Sequence, residues 1–485
     1  MTSLVDLPHD VLTIICQHLS AAGLLSLSQT CRGLYKIGCD DYLWHSLLRS
    51  INLPLDISPD TDPRSLSGRD TKALVVRALK LDRNWRRSRP QVRRVVPLID
   101  TPADTFVDEL VFLPGSQWLV TAQVAGGVRT RVTLWLLGDV DKPLVVGSYD
   151  LRGRPRSFTA YLDSERKVVI ICGIMMWDRQ SFIKAHSINI DECDRAITPV
   201  ATIYDTEVSK LPHLGMLCSV SVHKDTIAAN FVVMGGDTSS RKQTENILFH
   251  NFMTNATLIT KTLVPSFAGS HSLRFTHSRF ITATHHDDLF GEVLDISKIA
   301  SSLSDAAPSK DEYPFAALQD KLSLTSFLLQ SSHHIHMDYY LSVGTPHPYL
   351  NRDILCALAL PWPGSSYPAA DLYQLNLRTG ALDRHEHFSV ANSEHVIVND
   401  EVHLGPSGRR AVWLCGRAGN ATVMKWACGG RVDGEEVAGR SSPMIDTSSG
   451  LPFRVEECHR LAFDEATCRM CVATHSGCLY LLDFA

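Results

Sequence analysis

Residues 461–484 read LAFDEATCRMCVATHSGCLYLLDF. Apolar residues cluster at Leu461–Phe463, Met470–Ala473 and Leu479–Leu482, with a polar break after Asp464 and a Gly turn at Gly477. Short β-prone runs punctuated in this way predict strand, turn, strand, turn, strand. Residues 404–426, LGPSGRRAVWLCGRAGNATVMKW, repeat the pattern. Gln117–Ala122 followed by Arg131–Leu136, and Lys167–Ile171 after the polar Asp163–Glu165, extend it toward the N-terminus.

These units resemble degenerate WD-type propeller blades. Comparable units near 107–151, 157–205, 217–264, 272–300, 325–385, 396–430 and 455–485 give a β-propeller of about seven blades. They average about 55 residues, longer than the roughly 40–45 of a standard blade, so insertions are expected, with the small polar stretch Ser301–Asp311 as one. The last unit shows three strands. Arg94–Ile99 is expected to supply its fourth, which closes the ring and removes the open edges. A pair of β-sandwiches is the competing arrangement, because Trp177-Asp178 is the only WD dipeptide among the units.

Composition is that of an ordinary folded chain, with 44% hydrophobic and 20% charged residues and a mean hydropathy of -0.02. The opening MTSLVDLPHD places acids where a signal peptide needs bases and an apolar core. The strongly apolar run from Val168 to Trp177 is half the roughly 20 residues needed to span a bilayer and reads as a buried strand. Thirteen cysteines in apolar settings fit reduced thiols of the cytosol or nucleus. Residues 72–94 carry nine Lys and Arg against Asp82, so the rest of a chain of net charge -5 carries -13. That balance argues against a nucleic-acid binder.

At the other end of the chain, Leu12, Ile15, Cys16 and Leu19 recur at helical spacing, and Pro8 suits a first helical turn. Ser20 is expected to cap a second helix bearing Leu24, Leu25 and Leu27, and Thr30 a third with Leu34 and Ile37. Asp40 or Asp41 then starts an element with Leu43, Trp44, Leu47 and Leu48. Helix one also carries Val11 and Ile14 beside its core stripe, and a unit of about 45 residues cannot bury apolar material on every side. Part of that surface is expected to meet a partner.

Leu7-Pro8, the spaced Val11, Leu12, Ile15 and Leu19, the segment from Leu24 to Arg32, and Leu43-Trp44 together resemble the F-box over residues 4–48. The resemblance implies binding to a Skp-family adaptor, and through it to a cullin-RING ubiquitin ligase. It assigns the adaptor contact to Leu7, Pro8, Val11, Leu12, Ile15, Leu19, Leu24, Leu27, Leu34 and Trp44. The segment Arg83–Pro90 resembles one found just after the F-box in fungal F-box proteins.

Between the two regions, residues 52–70 are rich in Pro, Ser, Asp and Gly and read as loop. A helix follows with Leu74, Ala78, Leu81 and Trp85 on one face, capped by Asp70 or Thr71, and suited to dock the first module on the second. The arginines of 83–90 read as a solvated helix end. The expected organisation is thus α+β and multidomain: F-box at 4–48, linker and connecting helix at 49–92, mainly-β recognition domain at 93–485.

Catalytic motifs are sparse. Cys468, Cys471, His475 and Cys478 form a tempting metal set, but strand alternation scatters them over two strands, so core and surface roles are expected. His333, His334 and His336, and His285-His286-Asp287-Asp288, read as chance clusters. Walker, nucleophile-elbow and zincin patterns are missing, and His385-Glu386-His387 lacks the zincin spacing. Arg129, Arg131, Arg152, Arg154 and Arg156 fall around the first two units and form a candidate surface for an acidic or phosphorylated target. The sequence therefore predicts a substrate receptor of a ubiquitin ligase, not an enzyme. No cofactor, metal, nucleic acid or membrane is expected. A non-degradative scaffold, or a propeller hydrolase under a helical cap, is the alternative.

Overall fold

The computed structural model describes Leu4 and residues 7–485 apart from 51–52, 58–60, 101–104, 127, 139–141, 164–165, 176–179, 192–197, 209–214, 234–243, 262–270, 276–278, 286–288, 306–324, 330–338, 344–353, 362–368, 378–381, 391–396, 418–419, 433–434, 438 and 446–449. Four short helices open the chain: α1 (His9–Gln17), α2 (Ala21–Ser28), α3 (Arg32–Ile37) and α4 (Asp41–Ser50). Pro8 sits at the N-cap of α1, and Ser20 caps α2 by accepting from the Gly23 N–H. Asp40 accepts from the Tyr42 N–H at the start of α4. The expected Thr30 cap is not made. The N-cap of α3 is Cys31 without a side-chain bond, while the Thr30 hydroxyl donates back to the Leu27 carbonyl and finishes the previous turn.

Helix α5 (Gly68–Trp85) starts earlier than expected, because Ser67 accepts from the Asp70 N–H and also donates to the Asp70 carboxylate. Ser67 is therefore the cap, and Asp70 lies in the first turn, where its charge meets the positive helix end. Gly68 is needed for space: a Cβ there would collide with Asp41, at the start of α4.

From Arg94 on, the described strands form seven four-stranded antiparallel sheets. Sheets one to six span residues 105–152, 154–207, 216–261, 271–329, 339–389 and 397–443, and sheet seven joins 458–483 to Arg94–Ile99. The first strand of each sheet touches the first strand of the next, and that of sheet seven touches those of sheets six and one. This is a closed β-propeller with a first strand innermost in every sheet. The arrangement rules out a pair of β-sandwiches. Arg94 pairs with Asp483 and Val96 with Leu481, so an early strand closes the last sheet as the sequence predicts.

Two unit boundaries differ from expectation. Thr325–Leu329 belongs to sheet four, where it pairs with Leu289–Asp295. Helix α6 (Ile296–Asp305) intervenes, seating Ile299 and Leu303 in the core of sheet three, so the insertion around Ser301 displaces a strand in sequence without changing the sheet. In sheet six the fourth strand is Arg440–Pro443, reached after a small hairpin of Gly430–Val432 and Glu435–Val437. A fourth strand is recognised by its pairing, and pairing across an insertion leaves no local sequence signal. Trp177-Asp178 lies outside the described residues.

Candidate functional site

The helical module has its own core: Leu12 and Cys16 of α1, Leu24 of α2, Leu34 and Ile37 of α3, and Leu43, Trp44 and Leu47 of α4. The Trp44 indole donates to the Gly38 carbonyl at 2.9 Å. Leu12, Leu24, Leu34 and Trp44 are thus buried, and in the folded module they hold the helices together. Leu7, Leu19 and Leu27 are half-buried and Pro8 is exposed.

The outward face of α1 is different. Val11, Ile14 and Ile15 are 41%, 57% and 38% exposed. Spaced i, i+3, i+4, they form one aliphatic ridge, with exposed Leu4 just before the helix. Covering such a side chain fully is worth about 1.5–3 kcal/mol, so a ridge of three is a costly surface to leave in water. Sequence reasoning undervalued Ile14, the most exposed of the set.

Helix α5 ties this module to the propeller. Val75 sits in the module's core, while Leu81 and Trp85 belong to the core shared by sheets six and seven. Trp85 stacks on Phe463 at 5.1 Å and donates its indole N–H to the Trp426 carbonyl at 3.0 Å. Asn84 bonds the Phe484 and Gln91 carbonyls. The Lys425 ammonium reaches the Trp85 carbonyl at 2.7 Å, a cation at the negative end of the helix. Burial pushes its pKa down to about 8.

Asp82 accepts from Arg86 and from the fully buried Arg410, whose guanidinium also reaches the Glu465 carbonyl and Cys468 Sγ. The buried Glu465 carboxylate in turn accepts from three backbone N–H groups, of Ser407, Arg409 and Arg410, and from the Ser407 hydroxyl. Arg86 also donates to the Cys428 carbonyl, so it is a docking residue and not part of a solvated helix end. Arg83, Arg87 and Arg89 are exposed. The one acid in a nine-cation stretch, Asp82, was the available sequence signal.

Strand direction decides which end of the ring this junction occupies. Successive strands alternate in direction, so turns joining first to second and third to fourth strands share one end, and the remaining turns share the other. The junction uses the first-to-second turns at 405–409 and 465–468 and the third-strand end at Cys428, all at one end. The five arginines lie at the opposite end, on the second-to-third turn of sheet one and the crossover to sheet two.

There Arg129 and Arg152 face each other across neighbouring strands, Arg131 pairs with Asp150 at 3.0 Å, and Arg154 grips Asp108 at 2.7 and 2.8 Å. Arg131 and Arg154 are therefore engaged. Arg129, Arg152 and Arg156 are exposed and form no ion pair among the described residues. Arg129, Arg131 and Arg152 sit on the outer half of sheet one, so the set does not converge on the central opening.

The Cys/His set comes apart as the alternation predicts. Cys468 packs against Arg410, Cys471 lies in the core between sheets one and seven, Cys478 donates to the Asp100 carbonyl, and His475 stacks on His459. Glu386 accepts from the Gly429 N–H and His387 meets Asp371 at 2.8 Å. No group of three metal-binding side chains occurs among the described residues. His286, Asp287, Asp288, His333, His334 and His336 lie outside them. No described helix is long and apolar enough to cross a membrane.

Residues 4–50 match the sequence model of the F-box-like family. No curated protein matches the chain. Among solved structures, the one titled "Crystal Structure Of The C-Terminal WD40 Domain Of Sif2" is similar at 12% identity and a TM-score of 0.39, covering 79% of this chain and 83% of that one. The propeller assignment rests on the sheet pairing described above.

Proposed function

We propose that this chain, an F-box-like domain followed by a β-propeller, is the substrate-recognition subunit of a Skp-cullin-F-box type ubiquitin ligase. We divide it into an F-box at 4–48, a linker and connecting helix at 49–92, and a recognition propeller of about seven blades at 93–485. The observation that carries this reading is the exposed ridge of Val11, Ile14 and Ile15 on a family-matched module whose core is already filled. Leu7, Pro8, Leu19 and Leu27 flank it as further adaptor contacts, and Leu12, Leu24, Leu34 and Trp44 hold the ridge in shape.

A target is bound at the ring end opposite the helical module, which the junction leaves uncovered, with Arg129, Arg152 and Arg156 as candidate contacts. The contribution to the reaction is proximity: a bound target lysine is held near the ligase's ubiquitin thioester at high effective concentration, with no catalytic residue of this chain. Twelve free cysteines among the described residues support a reducing compartment, cytoplasm or nucleus.

The test is capture of a Skp adaptor and a cullin by the full chain and by a Val11→Asp, Ile14→Asp, Ile15→Asp variant with unchanged circular dichroism. Loss of both partners in the variant alone is expected. A folded wild type that holds no adaptor refutes the reading, and adaptor without cullin marks a non-degradative scaffold instead.

A further inference from the structure

The nine cations of residues 72–94 are not all spent on the junction. Arg86 serves it, but from Arg83 to Ile99 the chain carries six arginines and no acid. The middle of that stretch is a tied loop. The Asn84 side chain donates to the Gln91 carbonyl and accepts from the Gln91 N–H, both at 2.9 Å, and Trp85 and Pro90 are buried on either side. The loop presents its tip, Arg87, Ser88 and Arg89, all exposed. The Ser442 hydroxyl reaches the Ser88 carbonyl at 3.3 Å, so the tip is seated on sheet six by its backbone. The Ser88 hydroxyl itself makes no hydrogen bond among the described residues.

Arginine stands on both sides of only two serines or threonines in the chain, Ser88 and Thr130. Thr130 is 1% exposed and donates to the Gly153 carbonyl at 2.7 Å, so its oxygen is engaged and out of reach. We propose that Ser88 is a phosphorylation site for an arginine-directed protein kinase. Such kinases select by charge, setting an acidic substrate groove against basic residues beside the acceptor, and Arg86, Arg87 and Arg89 are the neighbours of Ser88. In the transfer the Ser88 Oγ attacks the γ-phosphorus of MgATP, and the bond from that phosphorus to the β–γ bridging oxygen breaks. ADP leaves with the electron pair, and the hydroxyl proton passes to the catalytic base of the kinase.

The modification adds about 1.5–2 negative charges just past the C-terminus of α5, the negative end of the helix. It stands two residues from Arg86, which bonds Asp82 and the Cys428 carbonyl of sheet six. A phosphate there competes for that guanidinium, so the phosphorylated chain holds the last turn of α5 less firmly. The site thus couples a kinase to the junction between the helical module and the ring, whether or not the module binds an adaptor.

The test is phosphate transfer from MgATP to the folded full chain by the catalytic fragments of protein kinase C and of cAMP-dependent kinase, with the acceptor located by mass spectrometry. Phosphate at Ser88 is expected, with total incorporation lower in Ser88→Ala. Transfer to Ser88 should fall about tenfold in Arg87→Ala, Arg89→Ala, which keeps the acceptor and removes the charge that the kinase reads. The phosphorylated chain should exchange the amides of residues 81–86 at least about threefold faster than the unmodified one. Unchanged circular dichroism checks each variant. No phosphate at Ser88 with either kinase, transfer only to the urea-unfolded chain, or equal transfer to the arginine variant overturns the site. Unchanged exchange in the phosphorylated chain overturns its coupling to the junction.

Discussion

Replacing Trp85 with Ala removes the side chain that fastens the helical module to the ring. Trp85 is 1% exposed, stacked on Phe463, edge-on to Phe484 at 6.2 Å, and its N–H is the donor to the Trp426 carbonyl. Truncating a buried Trp costs about 3–5 kcal/mol, and leaving a buried carbonyl without its donor adds about 1 kcal/mol or more. A loss near 5 kcal/mol is comparable to the whole stability of many domains, about 5–15 kcal/mol.

Urea unfolding followed by far-UV circular dichroism measures it. Trp85→Phe separates the parts, since it keeps most of the packing and loses only the donor, so its expected cost is about 1–2 kcal/mol. Hydrogen exchange should speed at Leu81–Arg86 before the sheets open, because the last turn of α5 is held by this contact. A Trp85→Ala cost below about 1.5 kcal/mol, or equal costs for Ala and Phe, would refute the view that this indole anchors the junction.

Two further outcomes test the ring itself. His186 and His250 occupy third strands of sheets two and three and lie tilted against Tyr149 and Tyr204 of the preceding sheets, with ring centres 4.2 and 4.3 Å apart. Burial pushes both imidazoles from 6.5 down to about 4. The unfolded chain then takes up protons first as pH falls, so stability present above pH 6.5 is lost progressively down to about pH 4. His186→Phe, His250→Phe is expected to flatten that loss in a thermal-midpoint profile, and an unaltered slope speaks against it. Gly408 has φ +68° and a Cβ there would collide with Cys356 Sγ, so Gly408→Ala should destabilise by about 1–3 kcal/mol in the same urea assay. Gly408→Ala with Cys356→Ala is expected to recover only the Sγ share of the steric cost, because the Cβ that alanine keeps at 356 also lies too close.

The helical module was legible because its signals are local. Apolar spacing in α1, the Ser20 cap and the Asp40 turn act within four residues of one another, and each appears where the pattern places it. The repeat pattern of the β region was legible for the same reason, since alternation and turn residues are properties of short windows. Misplacements arose where competing local bonds differ little: Thr30 offers a cap but donates backward, and Ser67 captures the start of α5 ahead of Asp70.

Other decisions had no local signal to read. Whether Leu12 or Ile14 faces water depends on which stripe of α1 the other helices cover, and both stripes are aliphatic in sequence. That Arg410 is buried, and that its guanidinium meets an aspartate 328 residues earlier, follows from the closure of a ring that brings sheets six and seven under α5. The sequence by itself determined the element types, the F-box-like module and the closing role of Arg94–Ile99, because hydrophobic periodicity and turn chemistry are short-range. Only the tertiary structure decided which arginines are engaged and which end of the ring carries the helical module, because burial and charge pairing are set by neighbours hundreds of residues away.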